Sequence, residues 1–70
     1  MTFAEAFQRL SPREQDVARR LARGLQRREI AAELGIGVKT CSTYRERAFA
    51  KLGVRTAAEL ASRVVLGGIE

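Results

Sequence analysis

The stretch GIGVKTCSTYRERAFAKLGV, Gly35–Val54, decides how this chain folds. Two glycines bracket an isoleucine, and a helix-length segment runs from there to Gly53. Laid out at about 100° per residue, that segment separates into two faces. Val38, Cys41, Ala48, Phe49 and Leu52 gather on one side, with Tyr44 and the stem of Arg45 at its edge, and this side is expected to pack inward. The opposite side collects Lys39, Thr43, Glu46, Arg47 and Ala50, flanked by Ser42 on one edge and by Thr40 and Lys51 on the other. From Lys39 to Lys51 there are four cations (Lys39, Arg45, Arg47, Lys51) and one anion (Glu46), a local charge of +3.

Upstream, Ser11 followed by Pro12 and Glu14 reads as N-cap, N1 and N3 of a capping box, where the hydroxyl takes the N3 amide and the carboxylate returns to the cap. Val17, Ala18, Leu21, Ala22 and Leu25 then recur at helical spacing until Gly24 supplies a left-handed stop, predicting a helix over about Pro12 to Arg23. A second helix, about Gln26 to Leu34, places Ile30, Ala31 and Leu34 on one face and ends at Gly35; Gln26 is a poor cap for it. The third runs from Val38 to about Leu52, with Gly37 as an acceptable N-cap. The fourth opens at Thr56, with Glu59 completing another capping box, and continues to about Leu66 before Gly67-Gly68. In residues 1–10, Phe3, Ala6, Phe7 and Leu10 share a helical face, so this segment is a short helix packed on the domain or the end of a linker; residues 11–70 form the domain itself. There is no strand candidate, repeat or low-complexity segment, so the expected fold class is all-α with four short helices.

Seventy residues make one domain with a small core, which leaves little room for an enclosed substrate cavity. Hydrophobic residues are 46% and charged residues 30% of the chain, the balance of a folded soluble domain. Thirteen Lys and Arg against eight Asp and Glu give a net charge of +5, which favours a polyanionic partner. The apolar run Val64-Val65-Leu66 falls far short of a membrane span, and the N-terminus lacks the basic and apolar regions of a signal peptide, so a cytoplasmic location and no membrane contact are expected. With one cysteine and no histidine, neither an internal disulfide nor a usual zinc ligand set is available; no metal or cofactor is expected.

A basic helix is often just a solvated surface. Here, however, a short helix, a tight glycine turn and a helix with small polar residues at its exposed N-terminal end form the arrangement by which a helix-turn-helix offers side chains to the major groove. The positive end of the third helix also suits phosphate.

From Leu10 to about Gly68 the chain resembles the LuxR-type DNA-binding domain, the output domain of NarL/FixJ-type response regulators and quorum-sensing regulators. The resemblance rests on LSPREQDV, GLQRREIAAELGIGVKT and KLGVRTAAEL in this order and spacing. STYRER further resembles the response-regulator subgroup with Tyr where most members carry His. Gly37 stands where the family usually has a capping Ser, Gln26 where it has Ser or Thr, and Cys41 and Ala48 where it has larger aliphatic residues.

The resemblance implies a four-helix helix-turn-helix domain of LuxR type with a scaffold helix, a recognition helix at about 38–52, and a fourth helix that dimerises. It implies a bacterial two-component transcription regulator binding an inverted repeat of double-stranded DNA as a homodimer, with RNA polymerase a further candidate partner. Matched by position, Ser42, Thr43 and Glu46 fall where base edges are touched, and Lys39, Thr40, Arg47 and Lys51 where phosphates are met. The chemistry agrees, since hydroxyls are permissive readers, Glu accepts from cytosine N4, and Lys and Arg neutralise phosphate.

Of the remaining residues, Arg28, near the start of the scaffold helix, and its neighbour Arg27 have a better claim to a DNA-backbone contact than Arg19-Arg20. Tyr44 either reaches a phosphate or covers the core edge. Cys41, on the apolar stripe, reads as a small core residue. On the fourth helix Leu60 and Val64 are expected to close the core. Ala57, Ala61 and Val65 are either ordinary surface residues or a small-residue dimer seam, and the resemblance favours the seam.

Three competing readings are a sigma-factor region 4, which shares the L-x-x-R-E and E-I-A-x-x-L-G-I pattern but normally finishes at its recognition helix; a protein-interaction module whose basic helix takes an acidic partner; and an enzyme. No nucleophile and base pair can be assembled from these residues, so an enzyme is not expected.

Overall fold

The computed structural model describes residues 1–67 and is all-helical over that range. Five helices follow one another: α1 (Phe3–Gln8), α2 (Pro12–Ala22), α3 (Arg27–Leu34), α4 (Val38–Leu52) and α5 (Ala57–Gly67). The four expected helices are α2 to α5, and the open question at residues 1–10 is resolved in favour of a packed helix. Of the expected Gly67-Gly68 stop, Gly67 is still within α5, and Gly68 lies outside the described residues.

Each helix starts where the chain offers a cap. In α1, Thr2 Oγ1 accepts the Glu5 amide at 3.1 Å while Glu5 Oε1 accepts the Thr2 amide at 2.9 Å. The same reciprocal pair opens α2, where Ser11 Oγ accepts from Glu14 at 3.2 Å and Glu14 Oε1 from the Ser11 amide at 2.9 Å. At α3 the Glu29 carboxylate accepts the Gln26 amide at 2.7 Å, which compensates for the weak cap residue. At α5 the expected box is shifted by one residue. Thr56 Oγ1 caps the Glu59 amide at 3.0 Å, but Glu59 Oε1 takes the amide of Arg55 at 2.8 Å instead of that of Thr56.

Helices α2, α3 and α4 all end in tight reversals closed by glycine. Gly35 has φ +68°, and the amides of Gly35 and Ile36 bond back to the carbonyls of Ala32 and Ala31 at 3.3 and 3.0 Å. This Schellman pattern satisfies two carbonyls at the end of α3 and needs a left-handed residue, which a side chain at position 35 would disfavour. It turns the chain into α4 in only three residues.

The core runs through all five helices. Phe7 from α1, Val17 and Ala18 from α2, Ile30 from α3, Cys41 and Ala48 from α4, and Leu60 and Val64 from α5 are all fully enclosed. Helix α2 lies against α3, α4 and α5, and α1 covers the far side of α4 and α5. Gln15 Nε2 donates to the carbonyls of Phe7 and Leu10 at 3.2 and 3.3 Å, satisfying the end of α1 and holding it on α2. Arg19 and Arg63 each stand 5.0 Å over the rings of Phe7 and Phe3, so α1 is also clasped by cations from α2 and α5.

Candidate nucleic-acid interface

Helix α4 is fixed by one stripe and free on the other. Cys41, Ala48, Phe49 and Leu52 are buried in the core, as the spacing predicts. Lys39, Thr40, Glu46, Arg47 and Ala50 are exposed, and Ser42 and Thr43 are half-buried at the margin. The helix thus presents a polar face of hydroxyls, the two cations Lys39 and Arg47 and the Glu46 carboxylate, immediately after the Gly35 turn.

One expectation about the inward stripe needs correction. Val38 does not pack inward: it is 48% exposed. As the first residue of α4 it stands at the mouth of an open cleft between the α2–α3 turn and α4, lined by Leu21, Leu25, Gln26, Arg27, Arg28 and Arg45. Arg45, at the edge of that stripe, is half-buried. Its guanidinium lies 4.4 Å over the Phe49 ring, one turn further along the same helix. Tyr44 is half-buried with its ring packed on the core.

The start of α3 meets the middle of α4. Arg27 Nη1 donates to Ser42 Oγ at 3.1 Å, while Arg28 lies exposed on the rim of the cleft. One residue along, Thr43 Oγ1 donates to the carbonyl of Lys39 at 3.2 Å, so the two neighbouring hydroxyls are held in opposite senses.

Lys51, expected on a phosphate, also holds a carboxylate within the chain. Its ammonium sits 2.7 Å from Glu14 Oε1, a carboxylate only 3% exposed. The Lys51 hydrogen bond holds the Glu14 carboxyl below its ordinary range; the Ser11 amide acts in the same direction, and burial opposes both. Lys51 also lies twelve residues beyond Lys39, about 18 Å further along the helix axis. No local pattern marks this pair, because Glu14 and Lys51 are thirty-seven positions apart. Arg27, given a claim to a DNA-backbone contact by its place near the start of α3, also reaches Ser42 of α4, a contact fifteen positions away that no local signal marks.

Cys41 is fully buried, and that burial pushes its thiol pKa upward, with the Arg27 charge opposing. On α5, Leu60 and Val64 close the core, while Ala57 and Ala61 are half-buried and Val65 and Leu66 are 74% and 82% exposed. Among the described residues no helix is long and apolar enough to cross a membrane, and no cluster of His, Cys, Asp and Glu could hold a metal ion.

Comparison with known proteins gives this geometry its relatives. Residues 8–64 match the family described as "Bacterial regulatory proteins, luxR family". The chain is 47% identical over 58 residues to the transcriptional regulatory protein UhpA of Escherichia coli (strain K12), covering 83% of this chain and 30% of that protein. It is 43% identical over 54 residues to nodulation protein W of Bradyrhizobium diazoefficiens, covering 77% of this chain and 24% of that one. Its fold is similar to that of full-length FixJ from B. japonicum, with a TM-score of 0.88 at 31% identity over 97% of this chain and 34% of that structure. The chain therefore spans about a third or less of these relatives.

Proposed function

This chain belongs to the luxR family of bacterial regulatory proteins, as a DNA-binding helix-turn-helix domain of a transcription regulator and not an enzyme, and we propose that α4 is its reading helix. In this reading α3 is the scaffold, α4 enters the major groove, and Ser42, Thr43 and Glu46 touch base edges. Lys39, Thr40, Arg47 and Arg28 meet phosphates on either side. Tyr44, packed at the core edge, contributes through its hydroxyl at most. Lys51 keeps two N–H donors and an exposed side chain for a phosphate while bonded to Glu14, but its charge is already compensated by that carboxylate, so it stands apart from this group.

The observation that carries the reading is the polar face of α4, exposed and basic on a helix whose other side is immobilised in the core. The Gly37 cap adds no side chain of its own, leaving the first amides of α4 open to a phosphate oxygen. The relatives favour the output domain of a two-component response regulator. It binds an inverted repeat as a homodimer with half-sites about one helical turn apart. The dimer forms through Ala57, Ala61 and Val65 of α5, a small-residue surface that continues into the exposed Leu66.

Selection of the chain on a randomised duplex library at moderate salt, followed by sequencing, tests the proposal. Enrichment of an inverted repeat is the expected result. Enrichment of single half-sites would remove the dimer and keep the groove reading. Binding that shows no sequence preference would overturn base reading by α4.

A further inference from the structure

The bond between Arg27 and Ser42 has a chemical direction. A guanidinium has donors only, so at 3.1 Å the Ser42 oxygen must be the acceptor. One lone pair of that oxygen is then taken, and the hydroxyl proton is left to point elsewhere. The adjacent positive charge further disfavours a second N–H donor approaching the same oxygen. Thr43 is set the opposite way, because its proton is given to the Lys39 carbonyl within the helix, leaving lone pairs and a methyl group for an outside partner.

We infer that Arg27 is a specificity-determining residue, which turns the Ser42 hydroxyl into a hydrogen-bond donor toward the base and so makes this position select acceptor edges. Guanine O6 and N7, adenine N7 and thymine O4 present such acceptors in the major groove, whereas cytosine presents its N4 amino group. Without Arg27 the hydroxyl rotates to suit either partner, and the position becomes permissive. Arg27 acts from the scaffold helix, through the serine, without touching the base itself. The inference rests on the reading of Ser42 as a base contact.

The test uses the chain with the half-site found by selection. Dissociation constants are measured for duplexes carrying each of the four bases in turn at every half-site position, for the parent chain, Ser42→Ala, Arg27→Met and the double variant. Thermal midpoints confirm that all four proteins are folded. Ser42→Ala is expected to flatten base preference at one position. Arg27→Met, which keeps the stem and removes the donors, is expected to reduce the preference over cytosine at that same position by about fivefold or more, and to add nothing in the Ser42→Ala background. If Arg27→Met weakens every duplex alike and leaves the ratios intact, Arg27 is a phosphate contact and the inference falls while the base contact stands. If Ser42→Ala flattens no position, the base-contact reading falls and the inference with it.

Discussion

Lys51 Nζ lies 2.7 Å from Glu14 Oε1, so the last turn of α4 is bolted to the capping box that starts α2. The Glu14 carboxylate is buried and the Lys51 side chain is 47% exposed, an asymmetry that makes the two partners unequal when removed. Taking away Glu14 frees an ammonium that water can solvate. Taking away Lys51 strands a carboxylate that water reaches poorly.

The pair sets the acid limb of stability. Glu14 has a lowered pKa in the folded chain, so its contribution is fully present above the ordinary carboxylate value of 4.5 and is lost as pH falls through the lower folded value. Glu14→Gln keeps an acceptor for the Ser11 amide but no charge, and is expected to cost about 1–2 kcal/mol at pH 7. Urea unfolding from pH 3 to pH 7 should show a shallower acid decline in the variant, and an unchanged decline would contradict the assignment.

Lys51→Met should be the more damaging change, at about 1–3 kcal/mol near neutral pH, because it leaves the buried Glu14 charge without its cation. Burial then favours the protonated carboxyl, so the deficit relative to the parent chain should shrink as pH falls. The double variant Glu14→Gln with Lys51→Met is expected to be less destabilised than the sum of the singles, read from the same unfolding curves.

Phosphate contacts separate from this structural cation in the salt dependence of DNA binding. Lys39→Ala and Arg47→Ala should each reduce the slope of log affinity against log salt by about one. Lys51→Met, assayed at a temperature where it stays folded, should leave the slope close to that of the parent. A loss of slope as large as that of Lys39→Ala would move Lys51 back among the phosphate ligands.

On α5, Val65→Glu is a cleaner probe of dimerisation than Ala61→Glu, since Val65 is 74% exposed and Ala61 is half-buried. Val65→Glu should leave the unfolding free energy within the range of ordinary surface substitutions, about ±0.5 kcal/mol. On an inverted repeat it should replace the two-protomer gel-shift band with the one-protomer band. Persistence of the two-protomer band would show that the seam lies elsewhere.

Cys41 should be inert in the folded chain, because its thiol is fully enclosed and its pKa is raised. Iodoacetamide is expected to modify it only at the rate of global unfolding, and Cys41→Ser should cost about 1–3 kcal/mol by burying a hydroxyl in an apolar site. Rapid alkylation of the native chain would show that α4 opens locally at its first turn.

Much of this molecule is legible in local chemistry. The Ser11-x-x-Glu14 box, the glycines at 24, 35 and 53 and the apolar stripe of α4 act over three to five residues, and they fixed the helices from α2 onward almost to the residue. The same signature at Thr2-x-x-Glu5 marks α1, though a helix of six residues owes its stability to packing on the domain, with Phe7 and Leu10 buried. The outward set of α4 followed from its 100° periodicity alone. Helical periodicity says which side a residue is on, however, and not what another helix brings to meet it. That Val38 is left at an open mouth, that Arg27 reaches Ser42, and that Lys51 answers to Glu14 were decided by how α2, α3 and α4 cross. Those contacts join residues fifteen to thirty-seven positions apart, and side-chain direction at that range is set by packing rather than by any local preference.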